Sequence, residues 1–124
     1  ADFLASLTPD ATVLAGSNYT LRCQGVRGEN QAEGTTLEVI WLDPDGMPIT
    51  SETTGVMILG VTSSTTDPTL VSYLNFPALN TSQAGRYYCR VNHTIPGRKQ
   101  QSLERASTVT VQSKPHFSPF VLYD

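Results

Sequence analysis

The sequence has no long apolar run, few charged residues and only two histidines. A membrane-spanning helix needs about 20 consecutive apolar residues, so we expect no part of this chain to insert into a bilayer. The 8 Lys and Arg residues against 11 Asp and Glu give a net charge of −3. That balance argues against a nucleic-acid-binding protein, because such proteins carry a basic face.

Residues and motifs that could support catalysis or metal binding are also few. His93 and His116 are the only imidazoles, and we expect both to be exposed, one at a strand end and one in the tail. They cannot be assembled with a nucleophile and an orienting group into a catalytic set. No nucleotide-binding, hydrolase or zinc-protease motif occurs. We therefore predict no enzyme activity, no cofactor and no metal ion.

What the chain does contain is typical of an extracellular β domain. Its 124 residues suffice for one domain, and they include 16 threonines and 11 serines but only 15% charged residues. Residues 28–85 hold no Lys or Arg. The acidic residues there either lie on solvated loops or form a polarised surface that orients a partner.

Short alternating runs separated by turn signals replace any helical periodicity. They predict seven to nine strands and an all-β sandwich. Residues 25–36 and 63–68 are predicted loops, and residues 47–50 a short returning strand. The clearest strand runs are residues 13–16, 19–23, 37–42, 56–61, 70–76, 86–92 and 106–112.

The two cysteines, Cys23 and Cys89, each lie in the middle of an alternating run. Their separation excludes the paired spacing of redox or zinc motifs. A disulfide between them closes a loop of about 67 residues and is worth roughly 4 kcal/mol on the chain-entropy model. Two unrelated buried thiols are the alternative.

The cysteines fall within a wider pattern, Cys23…Trp41…Leu74…Gly85-x-Tyr87-x-Cys89. This pattern resembles the immunoglobulin domain of the variable or intermediate type, as found in cell-surface receptors and adhesion proteins. The resemblance covers about residues 8–112. It implies an antiparallel Greek-key sandwich with a Cys23–Cys89 disulfide between the sheets. It further implies that Trp41 packs on the disulfide, that Leu74 is in the core, and that Tyr87 forms a tyrosine corner.

One departure from the family pattern concerns an ion pair. The family often has Asp two residues before the motif glycine, where this chain has Gln83. The usual Arg partner is also missing, since no base occurs between 28 and 85. Losing both halves of a buried pair can be nearly neutral, whereas losing one is costly.

Domain boundaries and sequons complete the sequence picture. We predict an immunoglobulin-like domain at residues 1–112, followed by a linker or the start of another domain at residues 113–124. Three N-x-[ST] sequons make Asn18, Asn80 and Asn92 candidate glycosylation sites, and with a disulfide they indicate the secretory pathway.

Strand alternation also predicts a candidate interface. Strands 37–42 and 86–92 are the C and F strands of the resemblance and neighbours in that fold, so their outward side chains share one surface. These residues suit an interface, although they could equally be covered or be scattered surface residues. The candidate interface residues are Ile40, Leu42, Tyr88 and Arg90.

From the resemblance we expect an extracellular recognition module of a plasma-membrane protein. It would be an adhesion or ligand-binding ectodomain, a receptor tyrosine kinase being one candidate parent. The partner would be a protein or a second copy, bound through the exposed C–F sheet or the loop at 25–36. The alternatives are a secreted immune-recognition module that binds through its end loops, and a structural spacer.

Overall fold

Nine β-strands and one 3-10 helix make up the described residues, 3–28 and 33–113, of the computed structural model. The helix, Thr81–Gln83, lies between the seventh and eighth strands. The strands are β1 Phe3–Leu7, β2 Ala11–Leu14, β3 Tyr19–Arg27, β4 Thr36–Leu42, β5 Met57–Gly60, β6 Ser63–Ser64, β7 Thr69–Phe76, β8 Gly85–Thr94 and β9 Gln101–Gln112.

The strands form two sheets that pack face to face. Sheet I has the antiparallel order β1-β3-β7-β5. Sheet II has the order β2-β9-β8-β4-β6, and only its β2–β9 pair is parallel. The chain therefore changes sheet repeatedly, as in a Greek-key sandwich, and the predicted all-β fold is confirmed.

A disulfide bond and a hydrogen bond cross the interior side by side. The Cys23–Cys89 disulfide joins β3 to β8, with 6.4 Å between the two Cα atoms. Trp41 is the cross-strand partner of Cys89, and Ser72 that of Cys23. The Trp41 indole donates a hydrogen bond of 2.9 Å to the Ser72 hydroxyl. A covalent and a polar link thus connect the same two strand pairs, and the buried indole N–H is satisfied.

Apolar side chains from both sheets surround these two bonds. The alternation in β4, β7 and β8 directs every second residue inward, so one face of each strand is buried. Leu74 and Trp41 are at most 1% exposed. The other large core side chains are Phe3, Leu21, Leu37, Val39, Ile49, Leu70, Phe76, Leu79, Tyr87, Val91 and Val109.

One end of the sandwich is closed by the turn before β8. The Tyr87 hydroxyl donates a hydrogen bond of 2.6 Å to the Gln83 carbonyl, which is the geometry of a tyrosine corner. The Gln83 side chain donates to the Gly55 carbonyl and accepts from the Asn80 amide. These uncharged hydrogen bonds connect Gly55, just before β5, to the turn before β8. Gln83 stands at the position where this sequence lacks the ion pair described above.

Gly85 has a steric role in the same turn. Its φ is +151°, and a Cβ built there would lie 2.6 Å from the Pro44 ring. The glycine of the G-x-Y-x-C pattern therefore allows the β4–β5 connection to pack against the start of β8.

Tyr87 gives the first prediction, which concerns alkaline stability. Burial, and secondarily Asp43, raises the pKa of Tyr87 from 10.0 to about 12. The neutral phenol is favoured in the folded state, so its stabilising effect is complete below pH 10 and lost as pH rises towards 12. We expect Tyr87→Phe to remove that pH dependence and to cost about 1 kcal/mol at neutral pH through the lost hydrogen bond. Urea unfolding at neutral and alkaline pH measures both effects.

Tyr19 provides the matched control for this experiment. Its hydroxyl is buried without a hydrogen-bond partner among the described residues, and burial followed by Asp10 raises its pKa. Tyr19→Phe should therefore reduce the alkaline slope without the loss at neutral pH. An unchanged slope in Tyr87→Phe would contradict the assignment.

Several strand boundaries differ from the sequence prediction. β1 was not predicted, although it pairs along its whole length with β3. Because β3 continues to Arg27, the predicted loop at 25–36 begins later, at residue 28. The predicted strand at 47–50 is only a bridge between Leu42 and Pro48. Residues 63–64, predicted as loop, pair with β4.

The strand β1 also explains why the expected exposure of His93 is wrong. Phe3 stacks on the His93 ring with centroids 4.7 Å apart, and His93 is 1% exposed. The unpredicted strand thus covers the end of β8. His116 and the predicted linker from residue 114 onward lie outside the described residues.

Candidate recognition surfaces

The outer face of sheet II carries three of the four candidate interface residues. Ile40, Arg90 and Glu104 form a row across β4, β8 and β9. Arg90 donates to Glu104 at 3.0 Å, with the two side chains 40% and 42% exposed. On the same outward face of β8, the Arg86 guanidinium lies 5.9 Å from the centre of the Tyr88 ring. The half-buried Tyr88 and Arg90 side chains are therefore already ordered by neighbours on the same face.

The predicted exposure of Leu42 is wrong. Leu42 is 5% exposed, although it lies across from Tyr88 on the outward row. The chain turns back after β4, so the Ile49 amide bonds to the Trp41 carbonyl and the Asp43 amide to the Met47 carbonyl. This returning segment covers the end of β4, an effect that alternation within a single strand cannot predict.

Asn92 takes part in a polar row on the same face. Its side-chain amide donates to Glu38 on β4, and its carbonyl oxygen accepts from Ser102 on β9. Asn92 is 6% exposed. Both of its polar atoms are thus used to link three neighbouring strands.

Sheet I presents a different surface, with exposed apolar side chains on its edge strand. Met57 and Leu59 on β5 are 47% and 46% exposed, and we call this pair the apolar strip. Leu59 lies across from Tyr73, and Met57 from Asn75, on β7. The strip was not predicted from the sequence. The available signal was a run, 56–61, with apolar residues at both alternating positions, only one set of which can enter the core.

The comparison with protein families fits this arrangement of sheets, disulfide and tyrosine corner. A family model described as the immunoglobulin domain matches residues 9–101. The chain belongs to the immunoglobulin domain family. Members of this family commonly act in protein–protein recognition and are generally not catalysts. No curated protein matches the chain.

Arg27 organises the loop end of the immunoglobulin domain, and the sequence analysis did not single it out. Its guanidinium donates to the carbonyls of Asp67 at 2.7 Å, Thr35 at 2.6 Å and Ser64. It thereby joins the segment before β4 to the segment that supplies β6. The signal in the sequence was weak, because Arg27 fell in a predicted loop where a charged residue needs no explanation.

Charged residues of both signs lie at the two ends of the immunoglobulin domain. Arg98 and Lys99 are exposed in the connection between β8 and β9, whereas Asp43 and Asp45 flank the connection after β4. β4 and β8 are antiparallel, so the two connections lie at opposite ends. Exposed Glu33, just before β4, and Asp67, whose carbonyl accepts from Arg27, lie at the same end as Arg98 and Lys99. The structure therefore does not divide the charges into one acidic end and one basic end.

Two of the three sequon asparagines lie on the surface of the immunoglobulin domain. Asn18, in the turn before β3, and Asn80, before the 3-10 helix, are both exposed. The side-chain oxygen of Asn80 caps the helix by accepting from the Ser82 amide at 2.9 Å. The third, Asn92, is the buried residue described above.

Neither metal ligands nor a membrane span is found in the described part of the immunoglobulin domain. Residues 3–28 and 33–113 contain no group of three or more His, Cys, Asp or Glu that could hold a metal ion. Over the same ranges, no helix has the length and apolarity to cross a bilayer.

Proposed function

We propose that this immunoglobulin domain is an extracellular recognition module of a plasma-membrane protein, and that it binds a protein partner through the outer face of sheet II. Disulfides persist in oxidising compartments such as the cell exterior, which supports the location. The family's common role in protein recognition supports the activity. The fold alone does not identify the partner.

The observation that carries the choice of face is that Ile40, Tyr88 and Arg90 share one face and that Tyr88 and Arg90 contact charged neighbours there. Tyrosine and arginine are enriched among residues that dominate binding energy. Here the Arg90–Glu104 and Arg86–Tyr88 contacts hold them in place before any partner arrives. Less side-chain entropy is then lost on association.

The Arg90–Glu104 pair also allows binding to be tested without unfolding the domain. Exposed ion pairs contribute about 0–1 kcal/mol to stability, and the like-charge contact that Arg90→Glu makes with Glu104 costs about as much. The substitution should therefore leave the fold intact. Tyr88→Ala removes the neighbouring ring from the same face. Tyr73→Ala is the matched control, since it removes a half-buried tyrosine from the outer face of sheet I.

The experiment measures binding in two formats, because the partner can be a second copy or another protein. Sedimentation velocity over a concentration series detects self-association. Fluorescent tetramers of the domain, applied to cells from the source organism, detect a different surface partner. We expect Tyr88→Ala and Arg90→Glu to weaken binding at least tenfold and Tyr73→Ala to leave it unchanged.

The other outcomes each overturn the proposal. Wild-type binding by folded Tyr88→Ala and Arg90→Glu excludes the outer face of sheet II. Loss of binding only when residues 28–34 are deleted identifies the end loops as the binding site. Absence of any binding in both formats identifies a structural spacer.

A further inference from the structure

The three sequons occupy different structural environments. We infer that Asn18 carries an N-linked glycan that covers the apolar strip of sheet I, that Asn80 carries a second glycan, and that Asn92 stays unmodified. This inference rests on the proposed extracellular location, because N-glycans are added in the secretory pathway. It does not depend on which face binds a partner.

Asn18 is held in a position suited to modification. The buried Asn75 amide donates to the Asn18 side-chain oxygen at 2.7 Å and to the Thr20 hydroxyl at 2.9 Å. The Asn18 side-chain nitrogen, which accepts the sugar, makes no hydrogen bond among the described residues. A glycan can therefore be attached without breaking a contact, and the Asn75 bond fixes the orientation of the amide plane.

The same asparagine connects Asn18 to the apolar strip. Asn75 on β7 is the cross-strand partner of Met57 on β5. Asn18, just before β3, therefore lies two strands from Met57, within the reach of a branched glycan. β5 is the edge of sheet I, and an exposed apolar edge is a template for unwanted pairing with another chain. A bulky hydrophilic glycan at this point shields the edge and accounts for the exposed methionine and leucine.

Asn80 is compatible with modification for a similar reason. Its side-chain oxygen forms the helix cap, whereas its side-chain nitrogen makes no hydrogen bond among the described residues. The side chain is exposed. The amide oxygen remains an acceptor after a sugar is attached, so the cap is retained.

Asn92 differs because its side chain is buried, at 6% exposed. Its amide nitrogen donates to Glu38 on β4, and its amide oxygen accepts from Ser102 on β9. A sugar replaces one hydrogen of that nitrogen and needs open space beside it, which the packing between Glu38 and Ser102 does not leave. An unmodified Asn92 leaves the outer face of sheet II uncovered, while the Asn18 glycan occupies part of sheet I.

Glycan mapping on protein secreted from a eukaryotic host tests the assignment of sites. We expect glycans on Asn18 and Asn80 and none on Asn92. Asn18→Asp and Asn80→Asp each keep the accepting oxygen and should each remove one glycan from the intact mass. Thr94→Ala destroys the third sequon and should leave that mass unchanged apart from the substitution. A glycan on Asn92, or a bare Asn18 or Asn80, overturns the assignment.

Oxidative footprinting tests whether the Asn18 glycan covers the strip. The chain has two methionines. Met57 belongs to the apolar strip that the Asn18 glycan is proposed to cover. Met47, 61% exposed, lies in the connection after β4 and away from the strip. In Asn18→Asp we expect hydroxyl-radical oxidation of Met57 to rise several-fold while that of Met47 stays constant. Asn80→Asp should change neither.

An equal rate at Met57 with and without the Asn18 glycan overturns the covering role. The binding assays with Tyr88→Ala and Arg90→Glu can be run on the same Asn18→Asp protein. Failure of the glycan inference is therefore distinguishable from failure of the proposed recognition function.

Discussion

Replacing both Cys23 and Cys89 by alanine is expected to lower the free energy of unfolding by about 4 kcal/mol. The bond closes a long loop, with a sequence separation of 66 between the two cysteines, and the chain-entropy model relates the stabilisation to that loop length. A loss of this size is a large fraction of the roughly 5–15 kcal/mol that stabilises a typical domain. Urea unfolding of the oxidised wild type and the double variant measures the difference.

Ser72→Ala is the comparison variant for the disulfide. It removes the hydrogen bond from Trp41 that runs beside the disulfide and leaves the buried indole N–H without its partner, which costs about 1–3 kcal/mol. We expect the order of destabilisation to be the cysteine pair first and Ser72→Ala second. If the double variant does not fold, the wild type under increasing reductant provides the measurement. A loss below about 1 kcal/mol would mean that side-chain packing holds the sheets together, contrary to the entropy argument.

Arg27→Met is expected to destabilise the domain by about 3 kcal/mol, at roughly 1 kcal/mol net for each of its three hydrogen bonds. Methionine retains a long apolar stem but donates to none of the carbonyls of Thr35, Ser64 and Asp67. We expect the segment that contains β6 to detach from β4 before the rest of the domain unfolds. Urea unfolding gives the total effect.

Hydrogen exchange locates the effect of Arg27→Met. The Val39 amide donates to the Thr62 carbonyl, so its protection should fall when the β6 segment detaches. Arg27→Lys retains the charge but not the three-pronged donor geometry, and it should be intermediate. Arg22→Met, on the outer face of sheet I, is the surface control and should change stability by less than about 0.5 kcal/mol. Unchanged protection at Val39 in Arg27→Met would contradict the role given to the guanidinium.

The two sheet faces have different consequences for recognition. Sheet II offers Tyr88 and Arg90, ordered by contacts on their own face. Sheet I offers Met57 and Leu59, whose side chains are more exposed. Met57 lies across from Asn75, which donates to the sequon residue Asn18. Exposed apolar area by itself would favour sheet I as the interface. The choice of sheet II rests on Tyr88 and Arg90, and the proposed Asn18 glycan is consistent with that choice.

The architecture could be predicted from the sequence because its determinants are local and chemically specific. Cys23 and Cys89 lie in alternating strands, and Gly85 and Tyr87 stand at fixed distances from the second cysteine. The alternating runs predicted the sandwich, and the spacings carry the resemblance to the immunoglobulin domain, which implied the disulfide and the turn that closes one end. The missing ion pair at Gln83 was also visible in the sequence, although its neutral replacement by a bond to Gly55 was not.

Burial at particular positions was decided by the tertiary structure alone. Alternation within one strand separates its two faces, but it does not show whether a distant segment of the chain buries one of them. Leu42 is covered by the chain that returns after β4, and His93 is covered by Phe3 from a strand that the sequence did not reveal. Arg27 gained its role only because three remote carbonyls converge on it. The pattern of residues therefore determined the framework, whereas contacts between segments far apart in sequence determined which surfaces remain available to a partner.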